Sequence, residues 1–119
     1  MENPKILIVD DNKDFADVFC DILSANDFDT KGCYGGVEAV ELLKNNGFNL
    51  VFLDIRMPEM DGIQTLKEIK KVCPETIVVM MTGYSVDDMV QSAIDAKATD
   101  VIYKPFEIEK VLSLIKNVV

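Results

Sequence analysis

Histidine is missing from the sequence altogether. That excludes a Ser–His–Asp triad, a histidine-bearing zinc site and any phosphohistidine formed on this chain. Cysteine is scarce, and Cys20, Cys33 and Cys73 lie far apart with no CxxC or other zinc spacing. An odd, unpaired set of this kind reads as small buried hydrophobes in a reducing compartment. Basic residues are also few: 12 Lys and Arg against 21 Asp and Glu leave a net charge of −9. Phosphate backbones recruit Lys and Arg, so this balance argues against direct nucleic-acid binding. No apolar run approaches the roughly 18 residues of a membrane span. The opening MENPK has no signal-peptide core. The expectation is a cytoplasmic protein with no membrane segment, no repeat, no linker and no low-complexity tract.

What is present is ordinary globular material. In 119 residues, 49% are hydrophobic and 28% charged, which suits one compact domain over residues 1–119. Apolar runs fall at Ile6–Val9, Leu50–Leu53 and Ile77–Met81, with weaker ones at Thr30–Tyr34 and Val101–Tyr103. Continuous apolar strands, rather than alternating ones, belong in a parallel sheet covered on both faces. Helical stripes lie between and after them. Phe15, Val18, Phe19, Ile22 and Leu23 form the first, with Asn12 as N-cap. Gly36, Ala39, Val40 and Leu43 form the second, ending near Gly47. Ile63, Leu66, Ile69 and Lys70 form the third, stopped before Pro74. Val86, Met89, Val90, Ala93 and Ile94 form the fourth, and Ile108, Val111, Leu112 and Ile115 the fifth. Each stripe reads as core packing. Five strand–helix repeats predict an open α/β sheet with right-handed crossovers.

Ligands of such sheets sit outside the carboxyl ends of the strands. Asp10 and Asp11 follow the first strand, Asp54 the third, Thr82 the fourth and Lys104 with Pro105 the fifth. One acid after a strand is usually a cap or a solvated loop. Functional residues after four strands are harder to explain as capping. Two carboxylates about 4 Å apart repel by roughly 4 kcal/mol at an effective dielectric of about 20. Clustered acids therefore suit a small hard cation such as Mg²⁺, which takes oxygen ligands and often completes its shell with phosphate oxygens. Mn²⁺ is the alternative ion. Lys104 can hold a further anionic oxygen, and Thr82 can donate to another. Together these groups describe a phosphoryl site, in which Asp54 is the reasonable nucleophile.

Four blocks carry a resemblance to the response-regulator receiver domain of two-component signalling, of the chemotaxis-regulator type. They are ILIVDD at 6–11, LDIRMPEMDG at 53–62, MTGY at 81–84 and YKPF at 103–106. The resemblance implies a flavodoxin-like fold: five parallel strands in the order 2-1-3-4-5, doubly wound, with two helices on one face and three on the other. It implies a phosphoacceptor at Asp54. It implies metal binding by Asp10, Asp11, Asp54 and the backbone carbonyl of Arg56. It places the switch hydroxyl on Thr82, the lysine on Lys104, and a cis bond at Pro105. Gly62 matches the family glycine after the Met-Pro loop. The implied donor is a phosphohistidine on a sensor histidine kinase or a histidine phosphotransfer protein. The implied readout is the surface of helix 4, strand 5 and helix 5, acting on an output domain, an effector protein or a phosphorylation-dependent homodimer. Such a protein assists its own phosphorylation and dephosphorylation but is not a conventional turnover enzyme. No output domain is visible in the sequence.

Some positions depart from that pattern. The aromatic expected three residues before the lysine is Val101, while Tyr103 sits one residue before it. Strand alternation puts Val101 and Tyr103 on one face, so Tyr103 is not assigned the usual switching role. The glycine expected seven residues before the lysine is Lys97. The two positions that tune dephosphorylation hold Arg56, the only arginine, and Tyr84. Rival readings fare worse. Asp10, Asn12 and Asp14 mimic the start of an EF-hand loop, but Phe15 and Asp21 stand where its glycine and glutamate belong. An FMN protein would want phosphate-cradling residues after strand 1, not two aspartates. An aspartyl-phosphate hydrolase would usually carry DxD, whereas Arg56 lies two residues after Asp54. The remaining alternative is a binding module that keeps this fold but signals without phosphorylation.

Overall fold

The computed structural model describes residues 4–55, 57, 60–83 and 87–118. Strand and helix alternate throughout: β1 (Lys5–Val9), α1 (Lys13–Ala25), β2 (Asp29–Cys33), α2 (Gly36–Asn45), β3 (Leu50–Asp54), α3 (Gly62–Val72), β4 (Ile77–Thr82), α4 (Asp87–Asp95), β5 (Asp100–Tyr103) and α5 (Ile108–Val118). The five strands form one sheet in the order β2-β1-β3-β4-β5. All four pairings are parallel, with Ile6 opposite Thr30 on one side and Leu50 on the other.

The apolar runs explain this arrangement. Side chains alternate along a strand, so a continuous run feeds two cores at once. Leu7, Val9, Val51, Leu53, Val78 and Met80 point into a core with α2, α3 and α4. Ile6, Ile8, Leu50, Phe52, Val79 and Met81 point into a second core with α1 and α5. Burying each large aliphatic side chain contributes about 1.5–3 kcal/mol. The central strands β1, β3 and β4 are therefore the most fully buried elements of the described fold, and the candidate acids stand at the ends of two of them. The edge strand β2 is different: exposed Asp29 and Lys31 alternate with better-covered residues and blunt the free edge.

The first helix starts as the sequence predicts, with the Asn12 side chain accepting from Phe15 N at 3.1 Å. Its stripe is wider than its buried face. Ala16, Phe19 and Leu23 are buried, but Val18 is 57% exposed and Ile22 is also exposed. These two do not serve as core; they line a shallow groove with Phe15, Phe106 and Ile108 on the α5 side of the helix. Ile94 on α4 is exposed as well. Val86 lies outside the described residues. The third helix is capped by Asp61, which accepts from Gln64 N at 2.8 Å, and stops one residue before Cys73 and two before Pro74.

Two helices end in the same way without glycine. Lys97 has φ 76° and Asp27 has φ 70°. Ala98 N donates to Ala93 O and Lys97 N to Ile94 O, both at 3.0 Å. Phe28 N and Asp27 N donate to Leu23 O and Ser24 O in the same pattern. This is a Schellman closure with its left-handed residue at Lys97 or Asp27, where glycine is usual. Aspartate tolerates that region better than lysine does. Lys97→Gly should therefore stabilise the protein by about 0.5–1 kcal/mol, the relieved strain exceeding the extra chain entropy of glycine. A urea midpoint that stays put or falls would show that Lys97 is unstrained.

Candidate functional site

The sheet delivers the candidate residues on rigid supports. Asp10 directly follows β1, and its N–H donates to Cys33 O at 3.1 Å, continuing the β2 ladder. Its side chain is 1% exposed. Oδ1 accepts from Asn12 N at 3.0 Å, and Oδ2 accepts from Lys104 Nζ at 2.5 Å. Asp11, the next residue, is exposed. Asp54 is the last residue of β3 and is 7% exposed, with Oδ1 3.5 Å from Lys104 Nζ. The next residue, Ile55, donates from its N–H to Met81 O at 3.0 Å, which fixes the acid's backbone against β4.

Thr82 ends β4 and is 4% exposed. Its carbonyl accepts from Lys104 N at 2.7 Å. The threonine and the lysine are thus joined through the backbone. The Lys104–Pro105 peptide is cis, as the resemblance implies. Val101 packs against the core shared by α2, α3 and α4, while Tyr103 is 48% exposed. Ile102 between them faces the opposite core, in keeping with strand alternation. Arg56 and Tyr84 lie outside the described residues, so the expected Arg56 carbonyl ligand has no placement.

The charges do not cancel. Oxygens of Asp10, Asp11 and Asp54 lie within 4.8 Å of one another. Among the described residues one ammonium, on Lys104, serves this group, and it is committed chiefly to Asp10. Burial therefore raises the Asp54 carboxyl first, the Asp10 charge raises it further, and Asp11 adds to this; Lys104 opposes them. The result is pushed up to about 6. A carboxylate that resists ionising in a nest of other carboxylates is a place where a divalent cation lowers the free energy most. Three clustered oxygen donors, hard and anionic, fit Mg²⁺ or Mn²⁺ in kind.

Two residues carry more than the sequence suggested. Gly62, the first residue of α3, approaches the Asp54 backbone so closely that a Cβ there would fall 2.2 Å from Asp54 O. Phe15, read from the sequence only as helix core, lies against the Lys104 ammonium. Nothing in a one-dimensional pattern joins residue 15 to residue 104.

The sequence matches the family described as "Response regulator receiver domain" over residues 6–116. The chain belongs to that family. This receiver domain is 41% identical over 114 residues to the chemotaxis protein CheY of Bacillus subtilis (strain 168), covering 95% of each chain. It is 32% identical over 117 residues to sporulation initiation phosphotransferase F of the same organism, covering 98% of this chain and 94% of the relative. The receiver domain of NtrX from Brucella abortus superimposes with a TM-score of 0.89 at 35% identity, over 95% of this chain and 96% of that one. The fold expected from the resemblance, a flavodoxin-like sheet in the order 2-1-3-4-5, is the fold observed. Receiver domains are signalling modules of two-component response regulators rather than conventional enzymes. No helix among the described residues is long and apolar enough to cross a membrane.

Proposed function

We propose that this receiver domain accepts a phosphoryl group on Asp54 from a phosphohistidine of a sensor histidine kinase or histidine phosphotransfer protein. The observation that carries the reading is the buried Asp54 carboxylate flanked by Asp10 and Asp11, with the Lys104 ammonium 3.5 Å away. A relative named as a phosphotransferase, similar over nearly its full length, supports it.

In the proposed step an Asp54 carboxylate oxygen attacks phosphorus. A P–O bond forms and the P–N bond to the donor imidazole breaks, its electron pair returning to the ring nitrogen. Asp10 and Asp11 would hold Mg²⁺ together with Asp54; the ion, when bound, supplies positive charge for the transferring oxygens. Lys104 places its ammonium beside a second oxygen. Thr82 lies at the adjoining strand end and offers its hydroxyl to a third. The exposed Val18 and Ile22, next to Phe15 and Phe106, form an apolar strip on which the donor protein can rest beside the site.

The phosphoryl group carries about 1.5–2 negative charges where the carboxylate it consumes carried one, and it presents three further acceptor oxygens. It draws on Lys104 and Thr82, which share a backbone hydrogen bond and so respond together. The shift biases two arrangements of the α4–β5–α5 surface, which an effector, an output domain or a second copy reads. With Val101 in place of an aromatic, the coupling runs mainly through the Thr82 backbone rather than through a ring. Three free cysteines and the kinase partner fit a cytoplasmic protein.

The test is mass-resolved labelling by a small phosphodonor such as acetyl phosphate. A single phosphoryl group should appear, dependent on Mg²⁺ and mapped to Asp54. Binding to a partner with no labelling under any donor would favour the phosphorylation-independent module instead. At limiting Mg²⁺ the reaction should also weaken as pH falls toward and below about 6, because protonated Asp54 is neither nucleophile nor good ligand. Raising Mg²⁺ should move the midpoint lower, since the cation favours the ionised form. A rate that stays flat across about pH 5 to 7 at limiting Mg²⁺, or a midpoint that ignores Mg²⁺, would remove Asp54 ionisation from the mechanism.

A further inference from the structure

The Phe15 ring does more than fill the space between α1 and α5. Lys104 Nζ stands 4.3 Å from its centroid. The ring is held from two sides: Phe106 meets it edge-on at 5.9 Å, and Phe19 lies at 5.7 Å. Phe106 follows Lys104 by two residues, so the segment that delivers the ammonium also pins the ring beneath it. Lys104 thus has three attractive faces, which are the Asp10 carboxylate, the Asp54 carboxylate and the π-face of Phe15.

These faces are not equivalent once a cation is present. Both oxygens of Asp10 already accept hydrogen bonds, one from Asn12 and one from Lys104. A divalent ion held by Asp10, Asp11 and Asp54 would compete for the Asp10 oxygen that Lys104 uses and would repel the ammonium itself. Water is the usual refuge for a displaced lysine. Here the side chain is only 22% exposed, and an aromatic face attracts a cation more strongly as water is excluded.

We propose that Phe15 is a positioning residue for phosphoryl transfer: its ring face keeps the Lys104 ammonium beside Asp54 after Asp10 has turned to a metal ion. The proposal rests on the reading of Asp54 as acceptor. It does not follow from packing, since leucine would fill much of the same apolar space without offering a π-face.

The experiment compares the full chain with Phe15→Leu and Phe15→Tyr. NMR of the Lys104 ε-methylene protons reports the ring current, with and without Mg²⁺, and acetyl phosphate labelling in Mg²⁺ reports the rate. In the parent and in Phe15→Tyr these protons should be shifted upfield and remain so in Mg²⁺. In Phe15→Leu the shift should vanish and labelling should slow by about three- to tenfold, the range expected of a partly desolvated cation–π contact. An unchanged labelling rate in a folded Phe15→Leu protein overturns the proposal. So does a parent protein in which Mg²⁺ returns the Lys104 protons to the position of an exposed lysine; this second measurement decides the matter even if Phe15→Leu fails to fold. A parent protein that keeps the upfield shift in Mg²⁺ but takes no label overturns the acceptor reading, and with it the catalytic role of the ring.

Discussion

Asp54→Asn should abolish phosphoryl uptake and, at neutral pH, should make the protein more stable. The first effect follows from chemistry. An amide is not the nucleophile that a carboxylate is, and losing the carboxylate also removes one of three anionic donors from the acidic cluster. The second follows from the position of the group. Asp54 is buried beside Asp10 and Asp11, and its carboxyl is pushed up to about 6. A carboxyl whose folded value lies above its unfolded one binds protons better in the folded state. Its ionisation therefore costs stability as pH rises from the ordinary carboxylate range to about 6, and the full cost remains above that. The asparagine variant escapes this cost, so its advantage over the parent should grow across that window and level off at higher pH. If the acidic cluster holds Mg²⁺ as proposed, the ion should narrow the gap by stabilising the parent more than the variant. Denaturation at several pH values, with and without Mg²⁺, reads these effects alongside labelling. A variant that still took label would end the assignment unless the label mapped to Asp11. A variant less stable than the parent at neutral pH would show that the acid is not strained in the way its surroundings require.

That pairing of lost chemistry with gained stability was only half visible in the sequence. Asp10, Asp11, Asp54, Thr82 and Lys104 could be picked out because parallel strands end at a common rim and each residue directly follows, or closes, an apolar run. The two strong features of the fold, continuous apolar strands and helical stripes between them, are written residue by residue. Burial is not. Nothing in the local pattern says that Asp10 is sealed while Asp11, its neighbour, is exposed, or that Lys104 would be committed chiefly to Asp10. The same limit explains Val18 and Ile22. A helical stripe says which residues share a face, but not how much of that face the sheet can cover. Lys97 could be flagged from the family pattern, whereas Asp27 could not, since its left-handed conformation depends on how α1 ends against β2. Phe15 was legible as apolar and nothing more, because its meeting with Lys104 is a contact between α1 and the segment after β5.

Gly62→Ala should be the most damaging of the small substitutions, although the glycine needs no unusual backbone angle. No described glycine has positive φ, so conformational freedom is not the reason for it. Space is the reason. A Cβ at residue 62 would lie 2.2 Å from Asp54 O, 2.9 Å from Asp54 C and 2.6 Å from Ile55 Cα. These atoms are backbone, and they belong to the end of a fully buried central strand, so no side chain can swing aside. The same residue donates from its N–H to Ile55 O at 2.8 Å, which ties the start of α3 to the end of β3. Adding one methyl group must therefore push α3 outward or drag Asp54 out of register with Asp10 and Lys104. Overpacking of this kind costs about 3 kcal/mol where the neighbours cannot yield. Labelling should fall further than the lost stability alone would produce, because the displaced atoms carry the proposed acceptor. Gly47→Ala supplies the control: nothing lies within 4 Å of a Cβ there, and its effect should stay within about 0.5 kcal/mol. Equal denaturation midpoints for the two alanine variants, or a Gly62→Ala protein that takes label at the parent rate, would mean that the junction between β3 and α3 is loose. A loose junction could not hold a buried acid within 3.5 Å of the lysine on which its chemistry depends.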